Sequence, residues 1–270
     1  MNKKGHIALA VTCGTMVVFA MPSLSSTSNI TPAVLLLTGA AAGGLSPDFD
    51  SKTATLSQLI QFSAAHRRLL STLSVFLILV GAVLLGWGKW SDGQTDPSIE
   101  WLISSAPLWI GAGVLCVLGA KLRVLILSGV GVLLLLGYGL YNWHWVAAVA
   151  GCSFLILPLV KHRGIIHTPE FAVLLTYGLY LFANQQQDLL QGLLYGFIIG
   201  WWAHLLGDCF GREGIQSLIL PKLKIALKLF SNGGSTERWI SRFCWGASVF
   251  VWMVLILSRS DIFTQISLFQ

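Results

Sequence analysis

The residues of this chain that are best suited to chemistry are histidines and aspartates in a few short polar stretches. Neutral imidazole and carboxylate groups are the usual protein ligands of zinc, manganese and iron. A centre with several metal ions draws its ligands from separate segments, and here five segments contribute. The pattern therefore predicts a metal site. Its expected ligands are His6, Asp50, His66, His162, His167, His204 and Asp208.

His204 and Asp208 form the pair that is hardest to explain by structure alone. They lie four residues apart in an otherwise apolar stretch, so both project from one face of a helix. Ionisable groups in an apolar span are costly and usually have a function. Asp208 could instead pair with Arg212 one helical turn later.

Other members of the set have alternative interpretations as helix starts. Ser46, Pro47 and Asp48 form a typical start, so Asp48 is either a helix cap or a site residue, and Asp50 is preferred as the ligand. A similar start ends in Glu170, which favours capping over catalysis for this carboxylate.

The elements that must position these residues are membrane spans. Hydrophobic residues make up 55% of the chain and charged residues only 10%, and a helix needs about 20 apolar residues to cross a bilayer. We therefore expect an all-α fold, a polytopic membrane helical bundle with about nine transmembrane segments in a single domain over 1–270. The candidate spans are 7–22, 31–45, 69–88, 101–120, 124–141, 143–160, 171–183, 189–208 and 243–258.

The N-terminal run and the longest connector each have a distinctive composition. Lys3, Lys4 and the apolar run after them are interpreted as a retained first span, with a cleaved signal peptide as the weaker alternative. The longest connector, 209–242, is basic. It is predicted to hold an amphipathic surface helix, because Leu223, Leu227 and Phe230 recur at helical spacing among lysines.

The lysines and arginines predict which side of the membrane each connector occupies. With the N-terminus in the cytoplasm, 15 of the 17 fall on the cytoplasmic side, and only Lys89 and Arg259 fall opposite. The same topology places every histidine except His144 on the cytoplasmic face. We therefore expect the metal site at that face. The positive charge is explained by this asymmetry, so no nucleic-acid partner is expected.

The cysteines add little to the functional argument. Five are present, they lie in or at the ends of apolar runs, and no pair has CxxC spacing. Buried cysteines of this kind usually act as small apolar residues, so neither a disulfide framework nor a cysteine metal site is expected.

Several short motifs resemble the YdjM-type family of predicted membrane-bound metal-dependent hydrolases. The motifs are GGLSPDFD at 43–50, HRGIIH at 162–167 and HLLGD at 204–208, together with Gly5-His6 and His66-Arg67. The resemblance implies an all-helical protein of the bacterial or archaeal inner membrane. It also implies a distant similarity to zinc-dependent phospholipases C and related nucleases, which hold three zinc ions with His and Asp.

These observations together predict a metal-dependent hydrolase of a lipid phosphoester at the cytoplasmic leaflet. Zinc is the first candidate, with two or three ions, and membrane lipids are the expected partners. Asp48 or Asp50 would orient the attacking water or act as base, and Arg163 or Arg67 would hold a phosphate oxygen. Two rival functions use the same ligands. They are transport of metal ions or protons, and a scaffold stabilised by a structural metal.

Overall fold

The computed structural model describes residues 1–21, 30–50, 55–91, 96–158, 164–220 and 222–259. Its helices are α1 Lys3–Ala20, α2 Thr31–Leu45, α3 Thr55–Leu59, α4 Ala64–Trp90, α5 Pro97–Ser104, α6 Ala106–Ala120, α7 Leu122–Tyr141, α8 Trp145–Ile156, α9 Pro169–Ala183, α10 Asp188–Phe210 and α11 Ser235–Arg259. Short 3₁₀ helices, Ser46–Asp50 and Ile165–His167, follow α2 and precede α9. Strands β1 Ile215–Gln216 and β2 Lys224–Ile225 pair antiparallel.

Polar residues set the starts of several helices. Asn2, Ser63 and Thr168 begin α1, α4 and α9, and each side chain accepts a hydrogen bond from the backbone N–H three residues later. Such caps satisfy N–H groups that a helix leaves unpaired at its first turn. The predicted start at 168–170 is confirmed, but Thr168 is the capping residue rather than Glu170.

The predicted spans all coincide with helices. The span at 101–120 lies on α5 and α6, which are consecutive. Within the described ranges, five helical stretches are long and apolar enough to cross a membrane, namely Ala64–Trp90, Ile99–Ala120, Leu122–Tyr141, Asp188–Phe210 and Ser235–Ser258. Helices α8 and α9 are apolar but shorter. The helical membrane class is thereby supported, while the count of nine spans and their sidedness stay predictions.

Glycines allow α2 and α10 to pack with their backbones in close approach. Gly39 and Gly43 of α2 face α10, and Gly196 and Gly200 of α10 face α2. A Cβ atom on Gly43 would lie only 2.0 Å from the carbonyl oxygen of Phe197. Small residues four apart are the usual device for close helix contact in membranes. This contact brings the last two turns of α10 against the end of α2.

The predicted amphipathic helix within 209–242 is wrong. Helix α10 ends at Phe210 and α11 begins at Ser235, and the described residues between them include β1 and β2 but no helix. Gly214 has a φ of +67°, a conformation that a helix does not accept. The backbone instead returns to the end of α10, where Leu227 N donates to Cys209 O at 2.8 Å.

Glu170 anchors this segment to the start of α9. Its carboxylate accepts hydrogen bonds from Ser217 Oγ and from the backbone N–H groups of Leu218, at 3.0 Å, and Ile219, at 3.4 Å. Leu223 and Leu227, which were expected on the apolar face of a helix, are exposed. Tertiary hydrogen bonds therefore outweigh the helical spacing of these residues.

Candidate metal centre

Five of the side chains capable of binding metal converge between α1, α2, α9 and α10. They are His6 of α1, Asp48 of the 3₁₀ helix after α2, His167 of the 3₁₀ helix before α9, and His204 and Asp208 of α10. Two groups of three have their ligand atoms within 4.8 Å of one another: His6, Asp48 and His204, and His167, His204 and Asp208.

The separations within the cluster resemble those between ligands of one ion. His204 Nε2 lies 3.4 Å from Asp208 Oδ2 and 3.8 Å from Asp48 Oδ1. His6 Nε2 lies 3.5 Å from Asp208 Oδ1, and His167 Nε2 lies 3.7 Å from Asp48 Oδ1. Ligands of a tetrahedral zinc lie roughly 3.3 Å apart, because each bond is about 2.0–2.1 Å long. Small shifts of these side chains would therefore bring their ligand atoms to the separations expected around one ion.

His204 is oriented as a metal ligand would be. Its Nδ1 lies 2.7 Å from the carbonyl oxygen of Gly44 and donates a hydrogen bond to it. The remaining nitrogen, Nε2, is therefore the one with the free lone pair. This atom is buried and has no hydrogen-bond partner among the described residues. A histidine that binds metal usually donates its other N–H to such a partner, which fixes the tautomer and the ring orientation.

Burial of the cluster is deep and uneven. His6, His204 and Asp208 have side chains no more than 1% exposed, whereas the Asp48 side chain is 27% exposed. The ring of His6 stacks on that of His204, with the centroids 3.7 Å apart and the planes at 12°. Asp48 therefore marks the accessible side of the site.

Each carboxylate of the cluster has neighbours that compensate its charge. The amino group of Met1 lies 3.0 Å from Asp208 Oδ1. Burial raises the pKa of Asp48, but its interactions with His167, His204 and His6 outweigh this effect and lower the pKa to about 2. Asp48 is consequently ionised near neutral pH, the form in which a carboxylate binds metal.

Other predicted site residues lie elsewhere or outside the described part of the chain. His66 is at the start of α4, where its exposed ring has Nδ1 2.6 Å from Ser63 Oγ, and it belongs to neither group of ligands. Asp50 ends its 3₁₀ helix, but its side chain is outside the description, as are His162 and Arg163. Arg67 donates to Gln61 Oε1 and to the carbonyl oxygen of Phe62.

Two contributions to the site were missed by sequence reasoning. The carbonyl oxygen of Gly44 and the amino group of Met1 both contact the cluster, and neither group has a distinctive side chain to signal its role. Gly44 does lie in the GGLSPDFD motif, which was the available signal. Asp48, left open as a cap or a site residue, lies in the cluster.

An apolar cavity of about 220 Å³ lies beside the cluster. Its lining includes Ser46, which is on the same 3₁₀ helix as Asp48, and Ile166, which precedes His167. Phe154 and Trp201 form other parts of the wall. The indole Nε1 of Trp201 is buried and has no hydrogen-bond partner among the described residues.

Fold and site together define a helical membrane protein with a buried His/Asp cluster that could hold a metal ion. Residues 1–264 match the family model described as YdjM inner membrane protein, and the chain belongs to that family. The resemblance drawn from the motifs is thereby confirmed. Comparison with curated proteins and with solved structures gave no match.

Proposed function

We propose that this protein is a membrane-embedded, metal-dependent hydrolase that cleaves a phosphoester of a lipid at the cytoplasmic leaflet. The observation that carries the proposal is the buried convergence of His6, His204 and Asp208, with the more exposed Asp48 beside them. Imidazole and carboxylate groups in this combination suit divalent transition metals, with zinc as the first candidate.

The described side chains would hold one ion directly. His204 has a single nitrogen available, because its Nδ1 is bonded to Gly44, so it can serve only one of the two groups of ligands at a time. A second or third ion would need further ligands, for which Asp50 and His162 are the sequence candidates.

Asp48 is the group we assign to the reacting water. A bound divalent metal would supply Lewis acidity toward the phosphoryl oxygen and would acidify a water. The Asp48 carboxylate is the accessible acceptor of the cluster, so it would orient that water by accepting a hydrogen bond from it. Arg163 is our candidate for binding a phosphate oxygen, because its planar guanidinium can form a bidentate pair.

The neighbouring apolar cavity favours a lipid as the substrate. Its lining is almost entirely apolar, which suits the part of a hydrocarbon chain nearest the head group. The Trp201 N–H, which has no partner in the described part of the chain, would donate to an oxygen of the substrate's ester or phosphate. A lipid held there would bring its phosphate to the cluster, because Ser46 and Ile166 belong to the cavity wall and to the segments that carry the ligands.

Transport of metal ions through the same cluster is the rival function. Transporters usually bind their ions near the middle of the bilayer, at breaks in the helices. Here His6 lies in the first turn of α1, and Asp208 lies two residues before the end of α10. Ligands at helix ends favour a site at head-group depth, and therefore the hydrolase.

The two functions can be separated with the purified protein. We expect it to contain at least one equivalent of transition metal and to hydrolyse a lipid phosphate or a chromogenic phosphoester, with loss of turnover on chelation. Metal flux into proteoliposomes without hydrolysis across a broad phosphoester panel would replace the hydrolase with a transporter. Bound metal with neither activity would favour the scaffold.

A further inference from the structure

A second cavity lies where α1 and α11 begin. It has a volume of about 720 Å³ and is open to the surface. Basic side chains from both helices line it, with Lys3 and Lys4 on one wall and Arg238 and Arg242 on the other. Ser241 and Trp245 complete the wall on α11. None of these residues contributes a ligand to the His/Asp cluster, so the cavity is a separate feature.

The four positive charges of this cavity exceed the negative charge of its described lining. Glu237 is the one acidic residue among the described residues of the lining, and it is only 1% exposed. Its two carboxylate oxygens accept hydrogen bonds from Asn2 N and Gly233 N, both at 2.6 Å. Glu237 therefore joins the starts of α1 and α11, and its single carboxylate leaves the four cations with an excess of positive charge.

The arginines retain donors for a ligand. Arg238 uses Nη1 for a hydrogen bond to the carbonyl oxygen of Gly233 at 3.0 Å. The guanidinium of Arg242 lies 5.6 Å from the ring centroid of Trp239, a cation–π contact that orients the group without consuming its N–H donors. A guanidinium held in this way is suited to phosphate oxygens, because several donors lie in one plane.

Aromatic side chains place the cavity at the level of lipid head groups. Trp239, Phe243 and Trp245 are all exposed on the first turns of α11, and the apolar part of that helix follows them. Tryptophan is enriched where a membrane helix passes from water into hydrocarbon. A phosphate bound between the lysines and arginines would therefore lie beside the bilayer, with its acyl chains along α11.

We infer that this basic cavity binds the head group of an anionic phospholipid. Basic pockets between membrane helices bind such head groups, because the negative phosphate stays at the interface while the chains stay in the bilayer. The site does not require the proposed hydrolase, since it uses different residues and a different pair of helices. It would hold α1 against α11 and so help to keep the first turn of α1 in place.

The test measures binding of short-chain lipids to the full-length protein in mild detergent by native mass spectrometry. The probes are dihexanoyl phosphatidylglycerol, dihexanoyl phosphatidylcholine and inorganic phosphate. The test variant is Arg238→Gln with Arg242→Gln. The control is Lys222→Gln with Lys224→Gln, which removes the same charge from exposed positions outside the cavity.

We expect the wild type to prefer phosphatidylglycerol over phosphatidylcholine, and the arginine variant to lose roughly 30-fold in affinity, at about fivefold for each basic side chain near an anionic surface. The control should change less than about twofold. If the arginine variant fails to fold, Lys3→Gln with Lys4→Gln repeats the test from the opposite wall.

Three outcomes would overturn the inference. They are equal binding of the two lipids, equal losses in the arginine variant and the control, and displacement of the lipid by inorganic phosphate at similar concentration. The last result would identify a site for a free anion. Hydrolase assays are not part of the test, so failure of the lipid site and failure of the proposed function are distinguishable.

Discussion

Helix α10 is less apolar than the helices α4 to α7, and it packs differently. In the most apolar 18-residue window of α10, 39% of residues are buried within the protein, against 11% in α4 and 17% in α7. Leucines of the outer helices, such as Leu115 and Leu133, are more than 60% exposed. Of the five candidate spans, the one with the lowest hydropathy, α10, is therefore the most buried, and the more apolar helices expose most of their residues.

The closeness of the backbones also differs between the two regions: only at the α2–α10 contact would an added Cβ lie about 2.0 Å from a carbonyl oxygen among the described glycines. In a bilayer, the lipid tails are as apolar as leucine, so helices associate through close packing and polar contacts instead. The glycines of α2 and α10 provide that packing, and the described members of the cluster lie at the adjoining helix ends. The outer helices carry none of those members. The variants described next test whether metal binding and close helix packing are confined to the region around α2 and α10.

Removal of His204 should have the largest effect. We expect His204→Ala to lose bound metal and to lower turnover at least roughly 100-fold, since even outer partners of metal ligands contribute about 10–100-fold. Elemental analysis and a phosphoester assay measure both changes. His144→Ala, on the N-cap of α8, is the control that should keep its metal.

His66→Ala distinguishes the ligand set of the sequence from that of the structure. The exposed ring of His66 lies outside both groups of ligands, so we expect its metal content to match that of the wild type. Loss of metal in this variant would show that His66 is a metal ligand after all.

Gly200→Ala should destabilise the protein strongly. The added Cβ would lie 2.0 Å from the carbonyl oxygen of Ala40, so one of two packed backbones must move. We expect a loss of about 3 kcal/mol, at the upper end of the usual cost of overpacking. Gly129→Ala on α7 is the matched control, because nothing lies within 4 Å of its Cβ position.

Thermal unfolding in detergent compares the two glycine variants. The control should be neutral or slightly more stable, since alanine favours helix by roughly 1 kcal/mol over glycine. Equal stability of the two variants would show that the contact between α2 and α10 is looser than described.

Glu170→Gln should loosen the segment after α10. An amide is a weaker acceptor than a carboxylate for the three donors at 217–219. We expect faster hydrogen exchange at Leu218 and Ile219, read by mass spectrometry, with the helices unchanged. Glu100→Gln, in the first turn of α5, should leave this segment as it is.

A small effect, confined to substrate binding, is expected for Trp201→Phe. If Trp201 donates to a lipid substrate, the variant should raise KM for a long-chain lipid phosphoester about fivefold, as for loss of one hydrogen bond. Turnover of a soluble chromogenic phosphoester should stay the same. Trp202→Phe is the control, because the Trp202 Nε1 donates instead to Thr176 Oγ1 at 2.7 Å. Equal KM values for Trp201→Phe and the wild type would remove the cavity from substrate binding.

Most helices and several members of the His/Asp cluster could be predicted from the sequence, because those properties are local. An apolar run in a bilayer must satisfy its own backbone hydrogen bonds, so it forms a helix whatever its neighbours are. The motifs likewise marked His6, His167, His204 and Asp208 by residue type and spacing. The family resemblance was drawn from the same short motifs.

The remaining features of the fold and of the cluster depended on contacts between segments that are distant in the sequence. The convergence of Asp48 on His204 follows from the packing of α2 on α10, which the spacing of residues within one helix does not specify. His66 lies outside that cluster, at the start of α4. The segment after α10 has helical spacing, yet hydrogen bonds to Glu170 and to the end of α10 hold it in another form. Tertiary contacts decided these features because each joins groups far apart in the chain.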